Sequence, residues 1–148
     1  MTIQRKTLCF IYGVIAVLAL IGTWGNNIAY MDRGFLDANL MFWQDTFANP
    51  ASRSITVDLF LLGLAVFVWM VLEARRLRMR GVWLYLIFGM LIAISVTVPI
   101  FLINRERALA RDATLPPERM TVADVFGLIL VTLAIIAYTI LTLTYRTP

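Results

Sequence analysis

Four stretches of this chain carry no charged side chain, and their lengths limit what it can fold into. They are Thr7 to Met31, 25 residues; Leu59 to Leu72, 14; Gly81 to Asn104, 24; and Val125 to Tyr145, 21. A helix crossing ~30 Å of hydrocarbon needs ~20 apolar residues. Three runs meet that length alone. The second meets it only if its helix extends past the flanking Asp58 and Glu73. Composition agrees: 61% of the 148 residues are hydrophobic and 15% charged, against roughly 25% charged in an average soluble domain. A soluble domain of this size has too little interior to hide so much apolar side chain. The expected fold is all-α: a polytopic membrane protein with one transmembrane domain over residues 1–148. Its four-transmembrane-helix bundle has helices at about 7–28, 54–73, 82–104 and 122–145.

Between these runs the pattern is more local. Leu36, Leu40, Trp43 and Phe47 recur at helical spacing while Asp37, Asn39, Gln44 and Asp45 fall elsewhere. That predicts a short helix with one apolar face, lying in the interface of the first outer loop. Asn49-Pro50-Ala51-Ser52 ends it and starts the second span. The first run follows Arg5 and Lys6 as a signal peptide would, but it is too long and lacks a small-residue cleavage site, so it reads as a retained anchor. Gly89 and Ala93 form a small-xxx-small pair that lets helices approach closely. Pro99 is expected to kink the third span near Val98.

What the chain lacks excludes much chemistry. It has no histidine, which removes His-dependent triads and relays and argues against haem or His-ligated metal sites. Its one cysteine, Cys9, can form neither an internal disulfide nor a Cys-x-x-Cys metal site. No phosphate-cradling glycine loop is present. No catalytic, cofactor-binding or metal-binding residue is therefore expected. The net charge of +4 comes from basic residues at the ends of runs, where topology rather than nucleic acid explains them.

With four crossings and a cytoplasmic N-terminus, seven basic residues fall inside (Arg5, Lys6, Arg75, Arg76, Arg78, Arg80, Arg146). Six fall outside (Arg33, Arg53, Arg105, Arg107, Arg111, Arg119). The count barely discriminates. Density does: the inner basic loop packs Arg75, Arg76, Arg78 and Arg80 into six residues, and short basic loops resist translocation. Both termini are expected in the cytoplasm. Those arginines act as topology determinants and phospholipid contacts, or as a specific site for an anionic lipid or partner.

Asp58 carries the sharpest expectation. A second span of adequate length places it about one turn inside the apolar layer, where a carboxylate needs a partner or a cavity. It either binds a ligand or proton there, or it stabilises a helix N-terminus and pairs with Arg53. Asp124, in the pattern Thr121-Val122-Ala123-Asp124, caps the fourth span. Asp58, Asp124, Arg53, Arg105 and Glu106 together are expected to form a polar cluster at the outer mouth of the bundle. Such a cluster would pair helices, bind a polar headgroup or dock a partner.

Three segments are familiar as a set: Phe47 to Leu59 (FANPASRSITVDL), Glu73 to Arg80 (EARRLRMR) with Trp83, and Ile94 to Leu102 (ISVTVPIFL) with Arg105-Glu106. They resemble hallmark segments of a family of small bacterial integral membrane proteins defined only as a domain of unknown function. The resemblance runs from about residue 7 to 109. It implies a bacterial cytoplasmic (inner) membrane and about three helices, with the fourth as an extension. It offers Asp58, Glu73, Arg75, Arg76, Pro99 and Glu106 as matching positions, and no activity.

The expected function is that of a non-enzymatic accessory or assembly subunit of a larger membrane complex. Its partners would be the lipid bilayer and another membrane protein or further copies of itself. The alternative is a small transporter or lipid-binding protein using Asp58. An intramembrane enzyme on a lipid or isoprenoid would need a carboxylate pair.

Overall fold

A computed structural model describes residues 1–111 and, beyond them, Val122, Phe126, Ile129, Leu133, Ala137 and Ile140; these six are helical and exposed. The rest of the helix expected at 122–145 lies outside the described residues. Helices account for nearly all regular structure among the described residues, with no strand.

Thr2 opens α1 (Ile3–Asn27) by accepting the Arg5 N–H at 3.4 Å. A 3-10 turn, Ile28–Arg33, carries α1 onward. Gly34 then takes φ +82°, ψ 157°, a conformation only glycine adopts without strain. The helix α2 (Phe35–Asp45) follows, where the apolar period predicts one. Asn49 caps α3 (Pro50–Arg76), accepting the Ser52 N–H at 2.9 Å, and Pro50 sits in the first turn, where its missing N–H costs nothing. The helix thus begins four residues before 54 and ends three after 73. Its 27 residues make it about 40 Å long. Two helical stretches, Ile3–Asp32 and Pro50–Arg76, are long and apolar enough to cross a membrane.

The expected third span, 82–104, is not one helix. It breaks at Ile92 and Ala93, where Ala93 is fully extended (φ −174°, ψ 135°), into α4 (Val82–Leu91) and α5 (Ile94–Leu109). A β-carbon on Gly89 would lie 2.9 Å from Thr97 Oγ1, and Asn104 donates to the Tyr85 hydroxyl at 2.7 Å. In one straight helix those pairs would stand about 12 and 28 Å apart. The two helices fold back on each other as a hairpin. At the break Ala93 is flanked by the β-branched Ile92 and Ile94, whose restricted side chains weaken helix there. Pro99 does not mark the break. It lies buried inside α5, six residues further on.

Three contacts fix how the hairpin sits against its neighbours. Arg5 meets Glu106 and the Cys9 thiol faces the Ile103 carbonyl, so α5 runs antiparallel to α1, the most extensive helix contact among the described residues. Arg105 meets Glu73, so α5 runs parallel to α3. Ile94 abuts Gly63, where a β-carbon would be 3.0 Å from it, and Gly63 is the midpoint of α3. The hairpin therefore covers only half of α3. A small core forms in that half from Met70, Ala74, Val82 and Phe101, with Trp69 and Tyr85 edge-on to Phe101 at 5.7 and 5.5 Å.

Candidate functional site

The fold-back brings five charged side chains from three helices to one end of the molecule. Arg76 grips Glu73 with two bonds, Nε and Nη2 to the two carboxylate oxygens, both 2.6 Å. Arg105 donates from Nε to Glu73 Oε1 at 2.7 Å and from Nη1 to Glu106 Oε1 at 3.0 Å. Arg5 completes the chain, donating to Glu106 Oε2 at 2.8 Å. All four carboxylate oxygens accept from arginine. Glu106 is 3% exposed, Arg5 6% and Glu73 7%, so this ion-pair chain is inside the protein. Its chemistry is structural: it clips the start of α1 and the ends of α3 and α5 together, and leaves neither glutamate free to act as acid or base.

The expected outer cluster does not assemble. Arg105 and Glu106 stand at the opposite end of α3 from Asp58, which is fifteen residues before Glu73 and hence about 22 Å away. Asp58 is exposed, and among the described residues no hydrogen bond or ion pair holds it. Arg53 instead donates to the Phe47 carbonyl at 2.9 Å. Asp124 lies outside the described residues. The expectation that Asp58 is buried and paired therefore fails, because the hairpin that would cover it stops at Gly63. Among the described residues, the carboxylates that are buried are Glu73 and Glu106, at the other end of α3. Glu73 pairs with Arg76, three residues on.

Sequence reasoning missed Arg5 as a site residue. The available signal was positional: Arg5, Glu73 and Arg105-Glu106 each flank a charge-free run. A third run that turns back brings all of them to one end.

The same turn gathers the basic residues. Residues 1–111 contain eleven Lys and Arg. Nine belong to this end: Arg5, Lys6, the four of the inner basic loop, Arg105, Arg107 and Arg111. Only Arg33 and Arg53 stand at the other. Arg75, Arg76, Arg78 and Arg80 are exposed. They end α3 in a Schellman turn, with Met79 N–H bonded to the Ala74 carbonyl at 2.8 Å and Arg78 N–H to the Arg75 carbonyl at 3.2 Å. Arg78 has φ +52°, occupying the left-handed position where glycine is the ordinary choice.

At the far end a shallow depression of about 270 Å³ is lined by Tyr30, Phe42, Asp45, Thr46, Ser52, Ile55 and Thr56. The Tyr30 hydroxyl donates to Asp45 at 2.6 Å. Tyr30, Phe42, Trp43 and Phe60 run in ring-to-ring contact beside it. Among the described residues no group of three His, Cys, Asp or Glu is placed to hold a metal ion.

The sequence model of one family, described as protein of unknown function DUF2834, matches residues 11–107, about two thirds of the chain. No curated protein and no solved structure matches.

Proposed function

From the premise that the chain belongs to this family, whose description assigns no activity, we propose that it is an integral membrane protein serving as a non-enzymatic accessory or assembly subunit of a larger membrane complex. One observation carries this. In the apolar windows of its two long helices only 6% and 11% of residues are buried by the rest of the chain. The core helix of a soluble protein would be mostly covered. Val17 and Ile21 on α1 and Leu61, Leu62 and Leu64 on α3 are each more than half exposed, the three on α3 spread over nearly half of the helix circumference, so lipid and partner helices supply the covering. Patches of this size mark membrane or protein contact surfaces. Purification of the full chain in mild detergent should bring down a stoichiometric membrane-protein partner. Recovery only as a lone monomer overturns the subunit role.

In this proposal α1 and α3 cross the bilayer while α4 and α5 enter and leave from one side. Backbone breaks at such depth are tolerated where protein covers them. The basic residues then divide nine to two along residues 1–111, far from the even split that four crossings imply, and the cationic end with the N-terminus is cytoplasmic. A further crossing by 122–145 would put the C-terminus outside, not inside. Single cysteines at Lys6 and Arg107, introduced after Cys9→Ala, should be labelled by an impermeant thiol reagent from the same side. Labelling from opposite sides would restore the four-crossing topology.

A further inference from the structure

We infer that the cationic end face, built by the start of α1, the turn between α3 and α4, and the last turn of α5, is a binding surface for anionic phospholipid headgroups. It rests on the membrane placement proposed above and adds a ligand class to it.

The ion-pair chain creates the surface. Among the described residues, the only acids at this end are Glu73 and Glu106, and both are inside, saturated by Arg5, Arg76 and Arg105. What remains outside is positive: Lys6, Arg75, Arg78, Arg80, Arg107 and Arg111 are all exposed, and among the described residues none has an acidic partner. Internal neutralisation thus removes the carboxylates that would otherwise compete for these cations.

The position of the cations selects lipid over a soluble polyanion. They border the apolar belt directly. Leu72 is 65% exposed three residues before Arg75, and Trp83 is 59% exposed three residues after Arg80. An indole beside arginines is the usual composition of a membrane interface, ring at headgroup depth and guanidinium on phosphate. A phospholipid offers acyl chains to the belt and a phosphodiester to the cations in one molecule. A nucleic acid or free phosphate offers only the second.

Arg78 adds a separate mark. In the left-handed position it is strained where glycine would not be, yet it holds a cation at the apex of the turn.

The test uses the detergent-solubilised full chain, titrated with phosphatidylglycerol, phosphatidylcholine or inorganic phosphate while thermal unfolding is followed. A ligand that binds the native state raises the midpoint. Phosphatidylglycerol should raise it, phosphatidylcholine and inorganic phosphate should not, and added salt should erase the gain. Each basic residue at an anionic surface contributes roughly fivefold in affinity. Replacing Arg75, Arg78 and Arg80 together by Gln should therefore weaken phosphatidylglycerol on the order of a hundredfold. Arg78→Gly is the decisive variant: its midpoint without lipid should rise by a few degrees, while its response to phosphatidylglycerol falls. A full response in Arg78→Gly and in the triple variant overturns the inference, as does an equal response to phosphatidylcholine or to inorganic phosphate. Failure of the membrane placement itself would look different: the wild-type chain would stay monodisperse once detergent is removed.

Discussion

Glu106→Ala is expected to destabilise the protein by about 3–5 kcal/mol, the cost of removing one member of a buried ion pair. Glu106 accepts from both Arg5 and Arg105, so its loss leaves two guanidinium groups short of a partner, and Arg5 is 6% exposed. Desolvation that the carboxylate offsets becomes uncompensated. Glu106→Gln should cost less, because the amide oxygen still accepts one bond, though without charge. A second substitution separates pair from packing. With Arg5→Met added to Glu106→Ala the stranded cation at α1 disappears, and part of the lost stability should return. Asp58→Asn is the matched control: exposed and unpartnered among the described residues, it should stay within about 0.5 kcal/mol of the parent. Unfolding in detergent, followed by tryptophan fluorescence or size exclusion, gives all four values. Similar losses for Glu106→Ala and Asp58→Asn would mean that the ion-pair chain does not hold the helices together.

How much of this was legible in the sequence depended on the range of the interaction involved. Local signals worked. Asn49-Pro50 marks the start of α3, and the Leu36, Leu40, Trp43 period marks α2. Each is settled within a few residues. The fold-back at Ile92–Ala93 is not local. A charge-free run of 24 residues says that a helix could cross a bilayer, and nothing in its length says whether it does. Contacts eight to nineteen residues apart decide that, through Gly89 on Thr97 and Tyr85 on Asn104. Read as one straight helix, the run carries Arg105 and Glu106 to the Asp58 end of α3 and gives Asp58 neighbours it does not have. In the proposed topology the even division of basic residues disappears, since reversing the side of residues 105–111 alone removes it. The charge pattern is uneven only when it is counted against the fold-back, and the fold-back rests on tertiary contacts.

The hairpin rests on one small residue, so Gly89→Leu is the second large expected effect. A β-carbon alone at Gly89 would stand 2.9 Å from Thr97 Oγ1 and 3.2 Å from the Phe67 ring. Phe67 is half-buried and can yield a few tenths of an ångström. Thr97 is constrained: its hydroxyl donates to the Ala93 and Ile94 carbonyls, at 3.3 and 3.4 Å, and the residue is 5% exposed. An alanine there already crowds the contact, and a leucine must push α4 away from both α5 and α3. Overpacking of this kind costs about 1–3 kcal/mol and occasionally more, and Gly89→Leu should lie at the upper end. Thr97→Ala removes the nearest atom, so the pair Gly89→Ala with Thr97→Ala should recover most of what Gly89→Ala alone loses. Gly13 supplies the contrast, since a β-carbon there meets nothing within 4 Å and Gly13→Ala should be neutral or stabilising by up to about 1 kcal/mol. If Gly89→Leu proved as harmless as Gly13→Ala, the surfaces of α4 and α5 would not be in contact. The helix would then run straight through residues 82–104, Glu106 could not reach Arg5, and the arginine-rich end would lose three of its nine cations to the other side.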